Sequence, residues 1–262
     1  MPALVPAQAL DPAEDPAPGL PSVLAVYAHP DDADVGAGGT LARLARTGHD
    51  VALVLVTSGD VGGFENAGQD RMSERRRGEQ REAAAALGIT DVTFLTGYRD
   101  GHVREGMGTE QAGLVRDVVA AVRLHRADLI LTTSPEYNFG STAANHPDHR
   151  AVGRAVVEAA YPAAGNPFDY CELGAQGLEA HDPLEVWFQG HREVNHVVAL
   201  APEDLDAKVS AVRSHPSQFQ DLDGIETFVR SRAAEEVAGT GDAEAGERFY
   251  RWVIRGLDGS LG

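Results

Sequence analysis

The chain is short of cysteine, lysine and aromatic rings, and each shortage removes a class of function. Cys171 is the single cysteine among 262 residues, so no internal disulfide forms, and a reducing, cytoplasmic setting is the expectation. With no base beside it in sequence, that thiol reads as a small buried hydrophobe. Lys208 is the only lysine, and 22 basic residues stand against 40 acidic ones, for a net charge of -18. Neutralising phosphates requires clustered Lys and Arg, so nucleic acid and anionic membrane surfaces are poor partners. No run of about 18 apolar residues exists, and no membrane span is expected. Residues 1–21, rich in Pro, Ala and Asp, lack the basic and apolar regions of a secretory leader and read as a disordered tail. The remainder, 22–262, suits one large α/β domain better than two.

What is present begins at Val23-Leu24-Ala25-Val26-Tyr27, an apolar strand-like run that leads into Ala28-His29-Pro30-Asp31-Asp32 and a glycine-rich helix start. In open α/β sheets, ligands bind at the carboxyl ends of strands, so these side chains face a cleft. Imidazole and carboxylate are ligands for zinc, and a catalytic zinc site takes three protein ligands with one position left for water. A second cluster, Asn145-His146-Pro147-Asp148-His149, follows another aliphatic run, residues 129–132, and again opens a helix. A helix N-cap with acids that complement the dipole would account for the first loop alone. It does not explain why His146 and His149 recur at a second strand end. Gly36, Gly38 and Gly39 faintly suggest a phosphate loop, but their spacing is not GxGxxG, and two carboxylates would repel a pyrophosphate.

The pairing of AHPDDAD with HPDH resembles the LmbE-like, or PIG-L, zinc-dependent N-deacetylases, over about residues 23–219. The resemblance implies a Rossmann-like, doubly wound α/β fold with a mainly parallel sheet and a small C-terminal strand and helix extension. It also implies removal of an acetyl or other acyl group from an N-acetylglucosamine-type glycoconjugate. By the same resemblance His29, Asp32 and His149 hold Zn2+, with another divalent transition metal such as Fe2+ as the alternative. Asp31 is then the general base toward an attacking water. His146 acts, when protonated, on the oxyanion or leaving group, and Asp148 orients an imidazole. Arg76 and Asp100 match positions that contact the sugar. Asp34 replaces the acid expected beside the Asp pair, one place later and with a shorter side chain.

The rest of the chain alternates in the same manner. Residues 51–56 read as a buried strand, with 57–63 lining the cleft mouth. Residues 71–87 read as a charged helix carrying Arg76 and Glu79, in which intrahelical ion pairs are the plainer alternative. Strand 92–95 leads to Asp100 and to His102, read as a loop residue. Helix 111–125 has the apolar spacing that packs on a sheet. After strand 129–132, Tyr137, Asn138, Phe139 and Gly140 are expected to wall the pocket, before a helix that runs to about residue 161. Residues 162–183 read as a long loop of the kind that sets substrate choice. Strands follow at 185–188 and 194–200, His196 being read as structural. Helix 202–213 and Lys208, His215, Ser217 and Gln218 resemble the family's C-terminal signature and are expected to buttress the loops. Helices are expected around 225–237 and 244–254. The partners expected are a small glycoconjugate and no nucleic acid, with homo-oligomerisation left open. Two rivals stand beside the deacetylase: an amidase acting on a thiol-sugar conjugate through the same site, and a carbohydrate-binding protein without turnover.

Overall fold

The structure, a computed structural model, describes residues 9–65, 68–103, 108–109 and 112–262. In chain order the elements are β1 (Ala9–Leu10), β2 (Ser22–Tyr27), α1 (Asp32–Arg46), β3 (Asp50–Leu55), α2 (Gln69–Ala86) and β4 (Asp91–Phe94). A short ribbon of β5 (Gly108–Thr109) and β6 (Ala112–Gly113) precedes α3 (Leu114–His125), β7 (Leu129–Thr133) and α4 (Pro147–Glu158). The chain ends with α5 (Cys171–Gly174), β8 (Glu185–Gln189), β9 (His196–Ala199), α6 (Pro202–Arg213), α7 (Leu222–Glu236) and β10 (Gly246–Val253).

Among the described residues the main sheet runs β1-β9-β10-β8-β7-β2-β3-β4, and β10 alone is antiparallel to its neighbours. Period-two alternation in β2 splits its apolar residues between two cores. Val23, Ala25 and Tyr27 pack with Ala37 and Leu41 of α1 and Ala83 of α2. Leu24, Val26 and Ala28 pack with Val118 of α3 and Val152 of α4. Helices therefore cover both faces, the doubly wound arrangement that the aliphatic runs imply. The chain leaves β2 toward β3 and β4 on one side and returns to β7 on the other. That reversal opens a crevice at the carboxyl ends of β2 and β7, where both His-Pro-Asp clusters lie.

Three expectations are corrected. Residues 244–254 are not a helix: Gly246–Val253 is β10, paired with β8 and β9. Its Phe, Tyr, Trp and Val favour a pleated surface over a helix. Residues 9–21 are not a loose tail, since Ala9 and Leu10 pair with β9, and Ala17 and Leu20 are buried. Arg43, itself buried, donates to the carbonyls of Asp11 and Glu14. Residues 1–8 lie outside the described part. Cys171 is exposed rather than buried. The glycines after the first cluster lie inside α1, as the helix start read there implies. A Cβ at Gly36 would meet the Gln189 amide at 2.0 Å, one at Gly38 the Lys208 chain at 3.2 Å, and one at Gly39 Leu200 at 2.3 Å. They let β8, α6 and the chain after β9 approach the helix closely.

Lys208, His215 and Ser217 of the C-terminal signature contact α1, α2 and β10 rather than the loops. His215 Nε2 meets Asp34 Oδ2 at 2.9 Å, Ser217 Oγ donates to Glu79 Oε2 at 2.5 Å, and Lys208 Nζ donates to Glu247 Oε1 at 2.6 Å. The 162–183 segment holds α5 and is tied down by Arg123, whose guanidinium donates to the carbonyls of Ala163, Ala164, Asn166, Asp169 and Tyr170. No helix is long and apolar enough to cross a membrane among the described residues.

Candidate metal and catalytic site

The turn after β2 carries His29 and Asp31 out of the sheet and starts α1 at Asp32. Asp31 occupies the N-cap position, yet its side chain caps nothing, and its backbone is left-handed with φ 93°. Its carboxylate instead accepts from Arg76 Nη2 at 3.2 Å. The turn before α4 uses Pro147 at the first helical position, where the missing N–H is harmless. There His146 is the cap, its Nδ1 accepting from the Asp148 N–H at 3.2 Å.

Three ligand atoms from the two turns converge. His29 Nδ1 lies 3.2 Å from His149 Nε2 and 3.3 Å from Asp32 Oδ2, and His149 Nε2 lies 3.0 Å from Asp32 Oδ1. Donors bound tetrahedrally to one ion at about 2.0–2.1 Å stand roughly 3.3 Å apart, which these spacings match. The ring tautomers agree. His149 Nδ1 faces the Ala143 carbonyl at 2.9 Å, which can only accept, so its Nε2 offers a lone pair inward. His29 Nε2 faces Asp148 Oδ2 at 3.2 Å and Asp100 Oδ1 at 3.1 Å, which leaves Nδ1 to face inward. Imidazoles held this way by outer carboxylates and carbonyls are the usual supports of a metal. Two wider groupings also exist, His29 with His146 and His149, and His29 with Asp100 and Asp148, each within 4.8 Å. The first engages His146, whose Nδ1 is committed to the helix cap; the second consists of the groups behind His29.

Charge makes the same point. Burial disfavours a protonated His29, but Asp32, Asp100 and Asp148 outweigh it and push the imidazole up to about 12. Burial raises Asp32 too, and His149 and His29 overcome it, holding that carboxyl well below its ordinary range. Asp32 places a carboxylate between the two imidazole nitrogens, while Asp100 and Asp148 hold the far side of the His29 ring. The donor set and its charge therefore fit a divalent metal.

Asp31 stands apart from that trio. Burial pushes it up to about 6, with Arg76 opposing and Asp32 assisting. Arg76 Nη2 donates to its Oδ2 at 3.2 Å and to the Pro30 carbonyl at 2.5 Å, and Nη1 donates to the Gly59 carbonyl at 3.1 Å. A Cβ at Gly59, where φ is +66°, would lie 2.1 Å from that guanidinium, so glycine is required there. Burial and the neighbouring His29 and His149 lower His146. Its ring centroid is 4.8 Å from that of His29 and 5.0 Å from that of His149.

All eight expected side chains thus come together. Arg76, 3% exposed, holds the His29–Asp31 turn, and Asp100, 9% exposed, faces His29; neither presents an open face to a sugar. The imidazole that Asp148 faces is that of His29, and its carboxylate also accepts from Gly101 N–H at 2.7 Å and Val103 N–H at 3.2 Å. Asp34 serves as a link behind the site, accepting from Gln80 Nε2 at 2.9 Å. Gln80 itself was not foreseen. Its Oε1 accepts the Asp31 N–H at 2.8 Å, and its position four residues after Arg76 on one helix face is the only sequence signal for it. His196 packs against Trp187 with the rings tilted and their centroids 4.2 Å apart, as a structural histidine.

A family model described as PIG-L, GlcNAc-PI de-N-acetylase, matches residues 24–160. A diacetylchitobiose deacetylase of Thermococcus kodakarensis is 29% identical over 210 residues, covering 78% of this chain and 73% of its own. A 1D-myo-inositol 2-acetamido-2-deoxy-alpha-D-glucopyranoside deacetylase of Kineococcus radiotolerans is 33% identical over 265 residues, covering 79% of this chain and 72% of its own. Among solved structures, the N,N'-diacetylchitobiose deacetylase of Pyrococcus horikoshii with its inhibitor superposes with a TM-score of 0.80 at 25% identity, covering 92% of this chain and 86% of that one.

Proposed function

Because the chain belongs to the PIG-L family of GlcNAc-PI de-N-acetylases, we propose that it hydrolyses the acetamide of an N-acetylglucosamine unit in a small glycoconjugate. Acetate and a free amine are the products. The observation that carries this reading is the convergence of His29 Nδ1, Asp32 and His149 Nε2 beside an Asp31 carboxylate that belongs to neither the helix cap nor the trio. His29, Asp32 and His149 would hold the metal, zinc in our reading, with Fe2+ suited to the same nitrogen and oxygen donors. When bound, such an ion polarises the acyl carbonyl and lowers the pKa of water toward neutrality.

The chain's own residues then divide the work. Asp31, with its carboxyl near 6, accepts the proton of the attacking water and is near the working pH, where a general base is most effective. His146 has Nδ1 engaged by the helix cap, so its Nε2–H is the atom left to donate to the developing oxyanion. That assigns His146 a neutral donor's role. The proton on Asp31 passes to the leaving nitrogen as the C–N bond breaks, which balances the hydrolysis. Asp148 and Asp100 fix His29 from behind, and Arg76 aims Asp31. The exposed, solitary thiol of Cys171 suits a reducing cytoplasm.

Amine release from N-acetylglucosamine, N,N'-diacetylchitobiose and N-acetylglucosaminyl-inositol, with metal quantified in the same preparation, tests the reading. Turnover that falls on chelation and returns with zinc is expected. Full activity in protein stripped of metal would overturn the metal assignment, and no amine from any sugar would overturn the substrate.

A further inference from the structure

We propose that Tyr137 and Phe139 form a subsite for a second, uncharged pyranose ring, the one joined to the amino sugar whose amide is cut. The inference rests on the deacetylase reading and names what lies beyond the scissile unit. The two rings stack with centroids 5.6 Å apart and planes within 9°, yet they are 55% and 89% exposed. Arg150 lies over Tyr137, so Phe139 presents the larger free face, and an exposed apolar surface on a held loop marks a binding surface.

The loop is held, not loose. Asn138 N–H donates to Asn145 Oδ1 at 2.8 Å, Asn145 Nδ2 returns bonds to the Asn138 carbonyl at 2.7 Å and the Ser141 carbonyl at 3.0 Å, and Asn138 Nδ2 donates to the Gly190 carbonyl at 3.0 Å. Both ends are tied to the reacting centre. Asn145 is followed directly by His146, and Arg150, next to His149, places its guanidinium 3.8 Å from the centroid of Tyr137. A platform fixed in this way meets its ligand with little ordering cost.

The chemistry of the occupant follows from the surface. A pyranose has an apolar C–H face that packs flat on an aromatic ring while its hydroxyls keep their water. Rigid aromatics supply such contact area cheaply. Arg150 lies over Tyr137, and neighbouring Glu136 pairs with His191 at 3.2 Å. With a net charge of -18 on the chain, an anionic phospholipid is repelled where a neutral ring is not.

The test is calorimetric binding of N-acetylglucosamine and N,N'-diacetylchitobiose to zinc-loaded Asp31→Asn protein, with and without Tyr137→Ala and Phe139→Ala together. The disaccharide should bind about tenfold tighter than the monosaccharide, and the preference should collapse to within about twofold when both rings are removed. Equal affinity for the two sugars, a preference that survives the double substitution, binding of neither, or tighter binding of an inositol phospholipid overturns the proposal. Turnover by the unaltered chain is read separately. A disaccharide preference without amine release leaves the subsite standing and removes the deacetylase reading; amine release without the preference does the reverse.

Discussion

Asp31 is held in a backbone conformation that costs a non-glycine residue about 1–3 kcal/mol, and the surrounding side chains keep it there. Gln80 accepts its N–H, and Arg76 grips the carbonyl before it. Behind Gln80 stand Asp34 and His215, each with a wholly buried side chain. Gln80→Ala should therefore lower kcat about 10- to 100-fold with KM and metal content little changed, because the misplaced group is the proposed base and not the binding surface. Unchanged kcat would mean that Asp31 is held otherwise. Asp31→Ala should cost about 10²–10⁴ in kcat while the metal stays bound, whereas His149→Ala should lose the metal itself. Metal analysis beside steady-state kinetics separates the two. At this scale the clusters around His29 and His146 were legible because a strand end followed by His-Pro-Asp carries chemistry in its spacing. Gln80 and the pairing of Asp100 with His29 were not, since they join positions 49 and 71 residues apart through a fold no local pattern encodes.

Elements approach one another at this site closely enough that single methyl groups matter. In α1, Gly39 faces Leu200, and a Cβ there would sit 2.3 Å from a Leu200 methyl carbon. Gly39→Ala should destabilise by about 1–3 kcal/mol through overpacking. Leu200→Ala in the same chain should recover part of that loss, seen as a non-additive urea midpoint. In β9, burial depresses His196 to about 4, Arg251 assisting and Glu185 opposing. A histidine whose folded pKa lies below its ordinary 6.5 contributes stability above that value and loses it as pH falls toward 4. Between pH 8 and pH 5 the native chain should lose about 2 kcal/mol more than a His196→Leu variant, measured by urea titration at each pH. A parallel loss in both would remove His196 as the cause. Most helices and strands were readable from period and aliphatic content, but β10 was not. Its Arg248 and Arg251 interrupt the apolar alternation, and only the strands on either side show that its aromatic residues are strand residues.

The sheet as a whole is closed by residues from both ends of the described chain, though not equally. β1 adds two residues at one edge, whereas β10 lies between β8 and β9 and, among the described residues, is the only link joining β9 to the rest of the sheet. β10 also supplies Glu247, which receives the Lys208 ammonium and the Gly39 and Thr40 N–H groups of α1. Removing the residues after Ala245 would strand β9, expose Trp187 and Phe249's partners, and leave Lys208 buried without its carboxylate. An unpaired buried charge alone costs about 3–5 kcal/mol, comparable to the stability of many domains. Such a chain should show no cooperative thermal transition and no bound zinc, because α1 loses its brace and with it the position of Asp32. Removing residues 1–18 takes away an edge strand and the Arg43 contacts, and should lower the melting temperature while leaving the transition cooperative and the zinc in place. The reverse ranking in a thermal scan with metal analysis would show that the edge, not the inserted strand, holds the site together.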